Sequence, residues 1–470
     1  MRTAELVPRI GAELLGDASD VAIHDVTHDS RVVGPGSLFA CVPGERFDGH
    51  DFASAAIDRG AVALLVERSL DLPVPMLRVR SVREALGPAA AAVHGDPSMN
   101  LQVIGITGTN GKTTTAALLA SILRSAGLAT ETLGTLSGAR TTPEGSDLQR
   151  RFRSWVDEGV DAVVMEVSSH ALELHRVDGT RFEVGVFLNL SPEHLDFHGT
   201  MESYEAAKTR LFTEGLVDRA VVLVDDEAGA RVADAATVPV ERCSIADAVD
   251  LELTADGSRF RWRGVDVDLA LPGRFNVANA IAAATAAVAC GIDLADIARG
   301  LSSLPAVPGR VQPVETGQPF GVLVDYAHTP DALDRVLATT RELIEDGSRL
   351  LVVFGAGGDR DRDKRPLMGA AAARWADEIV VTSDNPRSED PQAIIQAILT
   401  GIPTDRRANV VVEADRRRAI ALAIGRARPG DLIVIAGKGH ETTQETAGSV
   451  IEFDDRLVAA DAIAELGPDA

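Results

Sequence analysis

Leu101-Gln-Val-Ile-Gly-Ile-Thr-Gly-Thr-Asn-Gly-Lys-Thr-Thr114 sets an apolar run, a glycine-rich turn and the start of an amphipathic segment around one lysine. That order reads as strand, phosphate loop and helix. Gly108 and Gly111 let the backbone bend and bring its N–H groups to phosphate oxygens, while Lys112 adds a point charge and Thr113 a hydroxyl for Mg²⁺. Ala116, Leu118, Leu119, Ile122 and Leu123 recur at helical spacing, and Gly127 is placed to stop the helix. The position five residues before Gly111 is Ile106, which sets this loop apart from an ordinary GTPase or kinase-like P-loop. The alternative, a tight turn with an incidental lysine, fits the strand-turn-helix context poorly. The chain is expected to bind and consume ATP.

A chain of 470 residues exceeds one hydrophobic core, which predicts two or three domains. Hydrophobic residues at 45% and charged residues at 25% place it among ordinary globular proteins. Neither a signal-peptide run at Met1-Arg-Thr-Ala-Glu-Leu-Val-Pro-Arg9 nor a later stretch of ~18 uninterrupted apolar residues is present, so no membrane span and a cytoplasmic location are expected. Cys41, Cys243 and Cys290 are too scattered for a disulfide framework or metal cluster and read as buried small hydrophobes. The formal charge of −24 argues against nucleic acid and anionic lipid as partners. Anionic small molecules remain possible, met locally by Lys112, backbone N–H groups and Mg²⁺ on surplus carboxylates. A monomer acting on small-molecule substrates is expected.

Along the chain the pattern is α/β in three domains. Residues 1–97 carry short strand-like runs and turns such as Gly34-Pro-Gly-Ser-Leu-Phe-Ala-Cys-Val-Pro-Gly44 and end near Gly95-Asp-Pro-Ser98, a small N-terminal α/β domain. Residues 98–308 place strands at 101–107, 162–167, 184–189 and 220–224 between helical stretches, a central ATP-binding domain with a mostly parallel sheet. An insertion at 251–271 alternates with the period of a strand around Asp256-Gly257, predicting a small antiparallel patch. Beyond Pro308-Gly309, residues 309–470 place strands at 322–326, 350–354, 378–382, 410–413 and 432–436, a Rossmann-like domain. Its Phe354-Gly-Ala-Gly-Gly-Asp359 lacks dinucleotide-loop spacing.

Two further strings lie at predicted strand ends, where parallel α/β sheets place ligands. Met165-Glu-Val-Ser-Ser-His-Ala-Leu172 supplies Glu166, a natural Mg²⁺ ligand, and Phe187-Leu-Asn-Leu-Ser-Pro-Glu-His-Leu-Asp-Phe-His-Gly199 supplies His194, Asp196 and His198. Beside a phosphate loop they suggest a two-metal phosphoryl-transfer site.

Gly108-Thr-Asn-Gly-Lys-Thr-Thr114 resembles the phosphate loop of the Mur ligase superfamily, and the other strings follow in that family's order. The resemblance implies that Gly108, Thr109, Asn110, Gly111, Lys112, Thr113 and Thr114 bind ATP, and that Glu166 and His194 are metal ligands. It also implies that Lys208, in Tyr204-Glu-Ala-Ala-Lys208, is the lysine the family carbamylates (N6-carboxylysine) to stabilise a second Mg²⁺; the alternative is a solvated helix lysine. Glu193 stands where the family commonly has aspartate. Leu271-Pro-Gly-Arg-Phe-Asn-Val-Ala-Asn279 resembles the segment bordering the adenine pocket, with Asn279 the contact and Asn276 an alternative helix N-cap. Arg310 and Asp325, in Asp325-Tyr-Ala-His-Thr-Pro-Asp331, match positions near the γ-phosphate and the ribose.

Within the superfamily, Asp29-Ser-Arg31 with Asp48-Gly-His50 resembles a uridine-binding N-terminal domain, with Ser30 at the uridine site. Thr141, Thr142, Ser168 and Arg176 match positions that hold a UDP-muramyl-dipeptide, while Leu174 departs from a glutamine found there. Asp384-Asn-Pro-Arg387 is the family string associated with meso-diaminopimelate, and Arg360, Gly437 and Glu441 match the rest of that pocket, with Asn385 and Pro386 inside the string. The far end of diaminopimelate carries a carboxylate and an amine, which call for an arginine fork and a carboxylate. The resemblance therefore implies an ATP-dependent ligase of peptidoglycan synthesis, with Lys112, Lys208, His194 and Glu166 catalytic and Mg²⁺ as cofactor. The alternatives are the same ligase type using lysine or ornithine, and folylpolyglutamate synthase, which usually lacks a domain like residues 1–97. A catalytically silent ATP-binding partner would be expected to lose Lys112, Glu166, His194 or Lys208, and all are present.

Overall fold

The computed structural model describes residues 1–16, 20–44, 47–138, 140–254, 257–345 and 347–466. They form two compact units: Met1–Leu190 with His198–Ser244 and Ala280–Gly300, and Ser191–Phe197 with Ile245–Asn279 and Leu301–Ala470.

The first unit holds two sheets. In the smaller, the strands run in the order Glu13–Leu15, Met76–Arg78, Ala61–Val66, Ser37–Ala40 and Asp25–Thr27, parallel except for the first pair. The larger is wholly parallel, in the order Val240–Cys243, Val217–Leu223, Phe182–Phe187, Gln102–Thr107, Ala162–Glu166 and Thr130–Leu133. Val103, Ile104, Ile106, Val163, Val164 and Met165 are all buried, because helices cover both faces of such a sheet and alternation disappears. Strand Gln102–Thr107 sits between Ala162–Glu166 and Phe182–Phe187, where the winding of the chain reverses. Its carboxyl end therefore opens into the crevice where doubly wound sheets bind ligands.

The small sheet is fastened to the large one through helices Val82–Val93 and Gly145–Asp157. Glycines allow the approach: a Cβ on Gly87 would lie 2.0 Å from the Asp178 carbonyl oxygen, and one on Gly145 2.9 Å from the Gly87 Cα. Arg150 then donates to both carboxylate oxygens of Asp25, at 3.1 and 3.0 Å, and His28 Nδ1 lies 3.1 Å from Ser146 Oγ.

The second unit holds a six-stranded sheet in the order Gln312–Pro313, Gly321–Asp325, Leu432–Ala436, Leu350–Phe354, Glu378–Val381 and Val410–Val412, antiparallel only at its first pair. It also holds the antiparallel patch Val249–Thr254, Gly257–Trp262 and Val265–Leu269, and a hairpin of Thr443–Thr446 with Ser449–Glu452. Asp256, read as part of the turn at Gly257, lies outside the described residues. The edge strands Thr130–Leu133 and Val240–Cys243 were not anticipated, because Thr-Glu-Thr-Leu and Val-Glu-Arg-Cys lack a continuous apolar run. One alternative reading is ruled out. Asn276 lies inside helix Arg274–Ala289 and its Nδ2 donates back to the Pro272 carbonyl at 2.9 Å, so it is not the N-cap. No helix among the described residues is long and apolar enough to cross a membrane.

Gly87→Ala forces a methyl group into backbone that cannot yield, so it should lower the unfolding free energy by about 1–3 kcal/mol. Gly425→Ala, in helix Arg416–Arg426 with open space around it, should be neutral or mildly stabilising. Thermal melts of the two variants check this; equal melting temperatures would contradict the close-approach account.

Candidate active site

At the end of the central strand, Gly108 has φ 147 and Gly111 φ 90, conformations that side chains disfavour, and between them the chain turns into helix Lys112–Ser125. Asn189, from the end of the neighbouring strand, clamps this loop. Its backbone oxygen accepts from Thr109 N at 3.0 Å, its Oδ1 accepts from Asn110 N at 2.9 Å, and its Nδ2 donates to the Asn110 oxygen at 3.0 Å. The helix buries Ala116, Leu118, Leu119, Ile122 and Leu123 as the sequence pattern requires. Lys112 Nζ folds back to the carbonyls of Gly108 at 2.8 Å and Thr109 at 2.7 Å.

Lys208 is buried, which rules out a solvated helix lysine. Its Nζ also donates to Gly108 O, at 2.9 Å, and lies 4.6 Å from the centre of the Tyr204 ring. The Tyr204 hydroxyl is 3.1 Å from Thr109 Oγ1.

Glu166 is the last residue of its strand and is 2% exposed. Its carboxylate accepts from Thr113 Oγ1 at 3.0 Å, from Thr135 N at 2.8 Å and from Thr135 Oγ1 at 3.2 Å. A Cβ on Gly134 would sit 2.3 Å from Glu166 Oε1, so only glycine admits the carboxylate here. Among the described residues no group of three or more His, Cys, Asp and Glu forms a metal cage. Mg²⁺ needs none, since it is commonly held by one or two carboxylates plus substrate phosphates, and the Thr113–Glu166 pair offers hard oxygen donors of that kind. His198, in the same unit, places Nε2 3.0 Å from Ser169 Oγ. His194, with φ 56 and Nε2 3.7 Å from Glu193, belongs to the second unit, and Asp196 is exposed.

Beyond Glu166, Thr142 Oγ1 donates to the Glu166 backbone oxygen at 2.9 Å and accepts from Ser168 N at 3.1 Å, while Thr141 Oγ1 is 3.3 Å from Thr135 Oγ1. Arg176 reaches Glu144 at 3.0 Å and the Thr142 carbonyl at 3.4 Å. Arg140 and Arg83 meet the same Glu144 carboxylate at 2.9 and 3.5 Å. Three guanidinium groups on one carboxylate leave positive charge over, which suits an anionic substrate. Burial, and then the Arg140 and Arg83 charges, push the Arg176 pKa down, while Glu144 opposes them. Ser30 is half-buried beside Asp29, whose carboxyl Arg31 holds down at about 2.

In the second unit Asp325 is buried, and both its oxygens take backbone N–H groups at 2.7 Å, from Val311 and Ala327. Burial raises its pKa, against the nearby Arg310 charge. Asp325 thus ties down its own loop, and the Arg310 guanidinium lies over the Tyr326 ring at 4.6 Å. Asn279 is buried, with Nδ2 3.4 Å from Asn276 Oδ1. Asp384, Asn385, Pro386, Arg387, Gly437 and Glu441 come together. A Cβ on Gly437 would be 2.5 Å from Asp384 Oδ2, Asn385 Nδ2 donates to Glu441 Oε2 at 2.8 Å, and Arg387 Nη1 donates to Gly358 O at 2.7 Å. A Cβ on Gly358 would lie 1.8 Å from the Pro386 oxygen. Arg360 is exposed on the adjoining loop.

Sequence reading missed Asn189, Thr135 and Lys438. Lys438 is fully buried, and its Nζ donates to Asn385 Oδ1 at 3.1 Å, Glu441 Oε2 at 3.2 Å and Thr443 O at 2.6 Å. A lysine within Gly437-Lys-Gly-His-Glu441 was a legible signal; its burial was not.

Three family models match: Mur ligase family, catalytic domain over residues 22–95; Mur ligase middle domain over 106–287; and Mur ligase, glutamate ligase domain over 309–439. The UDP-N-acetylmuramoyl-L-alanyl-D-glutamate--2,6-diaminopimelate ligase of Syntrophomonas wolfei is 45% identical over 484 residues, covering 98% of this chain and 99% of that protein. A solved structure of a ligase of the same description matches with TM-score 0.72 and 33% identity over 99% of each chain. The MurF ligase of Thermotoga maritima, solved in complex with ADP, shares the fold with TM-score 0.63 at 20% identity, over 94% of this chain and 96% of its own.

The loop carrying Asp359 and Arg360 is held by Glu389, which accepts from Arg365 at 2.8 Å and from Asp359 N at 2.7 Å. Those bonds, Arg365 first, hold its carboxyl down at about 2 against an ordinary 4.5. A depressed carboxyl stabilises the fold above its unfolded value and loses that contribution as pH falls toward its folded one. Wild type should therefore exceed Glu389→Gln in stability above pH 4.5, and the gap should close by about pH 2. Denaturant titrations across that window check it; a gap independent of pH would contradict the pairing.

Proposed function

The chain belongs to the Mur ligase family, and on that premise we propose that it is an ATP-dependent amide ligase of peptidoglycan synthesis. It joins meso-diaminopimelate to the D-glutamate γ-carboxylate of UDP-N-acetylmuramoyl-L-alanyl-D-glutamate, releasing ADP and phosphate. The observation that carries this reading is a phosphate loop and a buried carboxylate, Glu166, at the carboxyl ends of adjacent strands, in a chain 45% identical across its length to a 2,6-diaminopimelate ligase.

A carboxylate is a poor acyl donor, because oxide is a poor leaving group. In the first step a γ-carboxylate oxygen bonds to the γ-phosphorus of ATP and the bond to the β-phosphate oxygen breaks, giving an acyl phosphate and ADP. In the second the amine nitrogen bonds to the acyl carbon, phosphate leaves and the nitrogen loses a proton. Catalysis rests on positioning and charge neutralisation. Lys112 and backbone N–H groups of the 108–114 loop, apart from those of Thr109 and Asn110, which Asn189 holds, meet the phosphates, and the family positions add Asn279, Arg310 and Asp325. Thr113 and Glu166, with His194 and carbamylated Lys208 added by family position, would hold Mg²⁺, which when bound neutralises phosphate charge. Ser30, Thr141, Thr142, Ser168 and Arg176 receive the UDP-muramyl-dipeptide, and Asp384, Asn385, Arg387, Glu441 and Arg360 receive the amine. The reading places the enzyme in the cytoplasm as a monomer, serving cell wall synthesis and, through it, cell shape and division.

The surroundings of Lys208 support the carbamylation that the family position implies. Two ammonium groups on the one carbonyl of Gly108 repel each other, and a carbamate keeps an N–H for that carbonyl while replacing a positive charge by a negative one. Lys208→Ala should be nearly inactive and partly rescued by formate or acetate. Full activity of the unrescued variant would refute the role.

The substrate assignment is tested by ADP release in the presence of the UDP-muramyl-dipeptide and each of diaminopimelate, lysine and ornithine. Leaving desolvated polar groups unpaired should disfavour lysine by at least ~10²-fold. Arg387→Ala should reduce turnover with diaminopimelate far more than it weakens ATP binding. Equal use of lysine by the unaltered protein would leave the ligase chemistry standing and overturn the choice of amine.

A further inference from the structure

Arg416 begins helix Arg416–Arg426, Asp455 begins helix Asp455–Leu466, and both side chains are 0% exposed. Arg416 Nε donates to Asp455 Oδ1 at 2.8 Å and Nη2 donates to Oδ2 at 2.7 Å, a bidentate pair. The outward edge of the guanidinium has two further partners. Nη1 donates to the carbonyl of Ser383 at 3.2 Å and Nη2 to that of Ala436 at 3.0 Å. Ser383 immediately precedes Asp384-Asn-Pro-Arg387, and Ala436 immediately precedes Gly437-Lys-Gly-His-Glu441. One planar group therefore grips the roots of both loops that carry the proposed amine-binding residues.

We propose that Arg416, oriented by Asp455, is a positioning residue for the incoming amino acid, setting the spacing of the Asp384–Arg387 and Gly437–Glu441 loops without touching the substrate. The proposal rests on the function inferred above. The loop contacts on the substrate side depend on that spacing: the Asn385–Glu441 bond and the Lys438–Asn385 bond both cross from one loop to the other. A buried ion pair is weak evidence for stability, since apolar replacements of matched volume are often neutral or stabilising. A guanidinium with all four contacts directed at two loop roots and one orienting carboxylate is better explained by geometry. Lysine cannot replace it, because a single ammonium lacks the planar fork that spans Asp455 and two carbonyls at once.

The experiment compares wild type, Arg416→Lys and the neutral pair Arg416→Met with Asp455→Leu, each verified as folded by circular dichroism and thermal melting. Steady-state KM values for meso-diaminopimelate and for ATP are measured, together with acyl phosphate formation in the absence of amine, read as positional isotope exchange in ATP. Both variants should show KM for the amine raised about tenfold or more, since displacements of an ångström in positioning groups carry effects of that size or larger. KM for ATP and isotope exchange should stay within about twofold of wild type, a split that a general loss of stability does not give. Unchanged amine KM in either folded variant, an equal rise for ATP and amine, or failure of Arg416→Lys to fold would overturn the positioning role. Absence of ligation by wild type with diaminopimelate would instead overturn the functional reading.

Discussion

The carbonyl oxygen of Gly108 is the point on which the phosphate loop depends, because it receives the side chains of both Lys112 and Lys208. It can do so only because Gly108 adopts φ 147, which turns the carbonyl away from the strand it has just left. The same bend brings a hypothetical Gly108 Cβ within 3.0 Å of Leu188 and 3.2 Å of the Asn189 nitrogen, so a side chain would push the loop off its neighbour. Two lysines from segments nearly 100 residues apart in sequence are thereby held over one turn of backbone. Anionic neighbours would relieve the repulsion between two ammonium groups placed so. On the function proposed above, the phosphates of ATP would answer for Lys112 and a carbamate on Lys208 for the other.

The same economy appears in the charge distribution. A chain of formal charge −24 that is to handle the anionic substrates proposed above must gather its cations where the anions go. Lys112 lies at a helix N-terminus, where the macrodipole adds to its charge, and Arg83, Arg140 and Arg176 converge on Glu144 at the start of helix Gly145–Asp157. Glu144 holds the three guanidinium groups together without cancelling them. Other carboxylates lie in exposed ion pairs such as Arg153–Asp157, whose worth to stability is small.

The fold was legible wherever one local signal decided it. Glycines at the turns, a helical stripe after Lys112 and continuous apolar runs marked the central strands to within about three residues. Those signals are carried by neighbours in sequence, and edge strands of mixed polarity carry none. The site was legible only as far as single side chains. Glu166 and Lys208 could be named, but the burial that separates Lys208 from a surface lysine is a property of packing. Asn276 misled because asparagine near a helix start usually caps it, whereas here Gly273 lies ahead of it at φ 96 and the helix begins two residues earlier than Asn276. Asp325 also accepts a backbone N–H group on each of its two oxygens, a use that no pattern in Asp325-Tyr-Ala-His reveals.

What sequence could least disclose is the layer beneath the Asp384–Arg387 and Gly437–Glu441 loops. Lys438 and Arg416 are both buried cations, and each satisfies partners from distant segments: Lys438 spans Asn385, Glu441 and Thr443, and Arg416 spans Ser383, Ala436 and Asp455. Desolvating two cations costs several kcal/mol each unless they are fully hydrogen-bonded, so such groups persist where their directionality matters more than their energy. Lys438 fixes the Asn385 amide: with Oδ1 taken by Lys438 and Glu445 N, Nδ2 is left to face Glu441. A carboxylate already bonded to an amide and an ammonium is held in one rotamer and partly neutralised, which sets how strongly it can attract a further ammonium. If these loops receive the amine as proposed, its selection is a property of the buried ions as much as of the residues that would meet it.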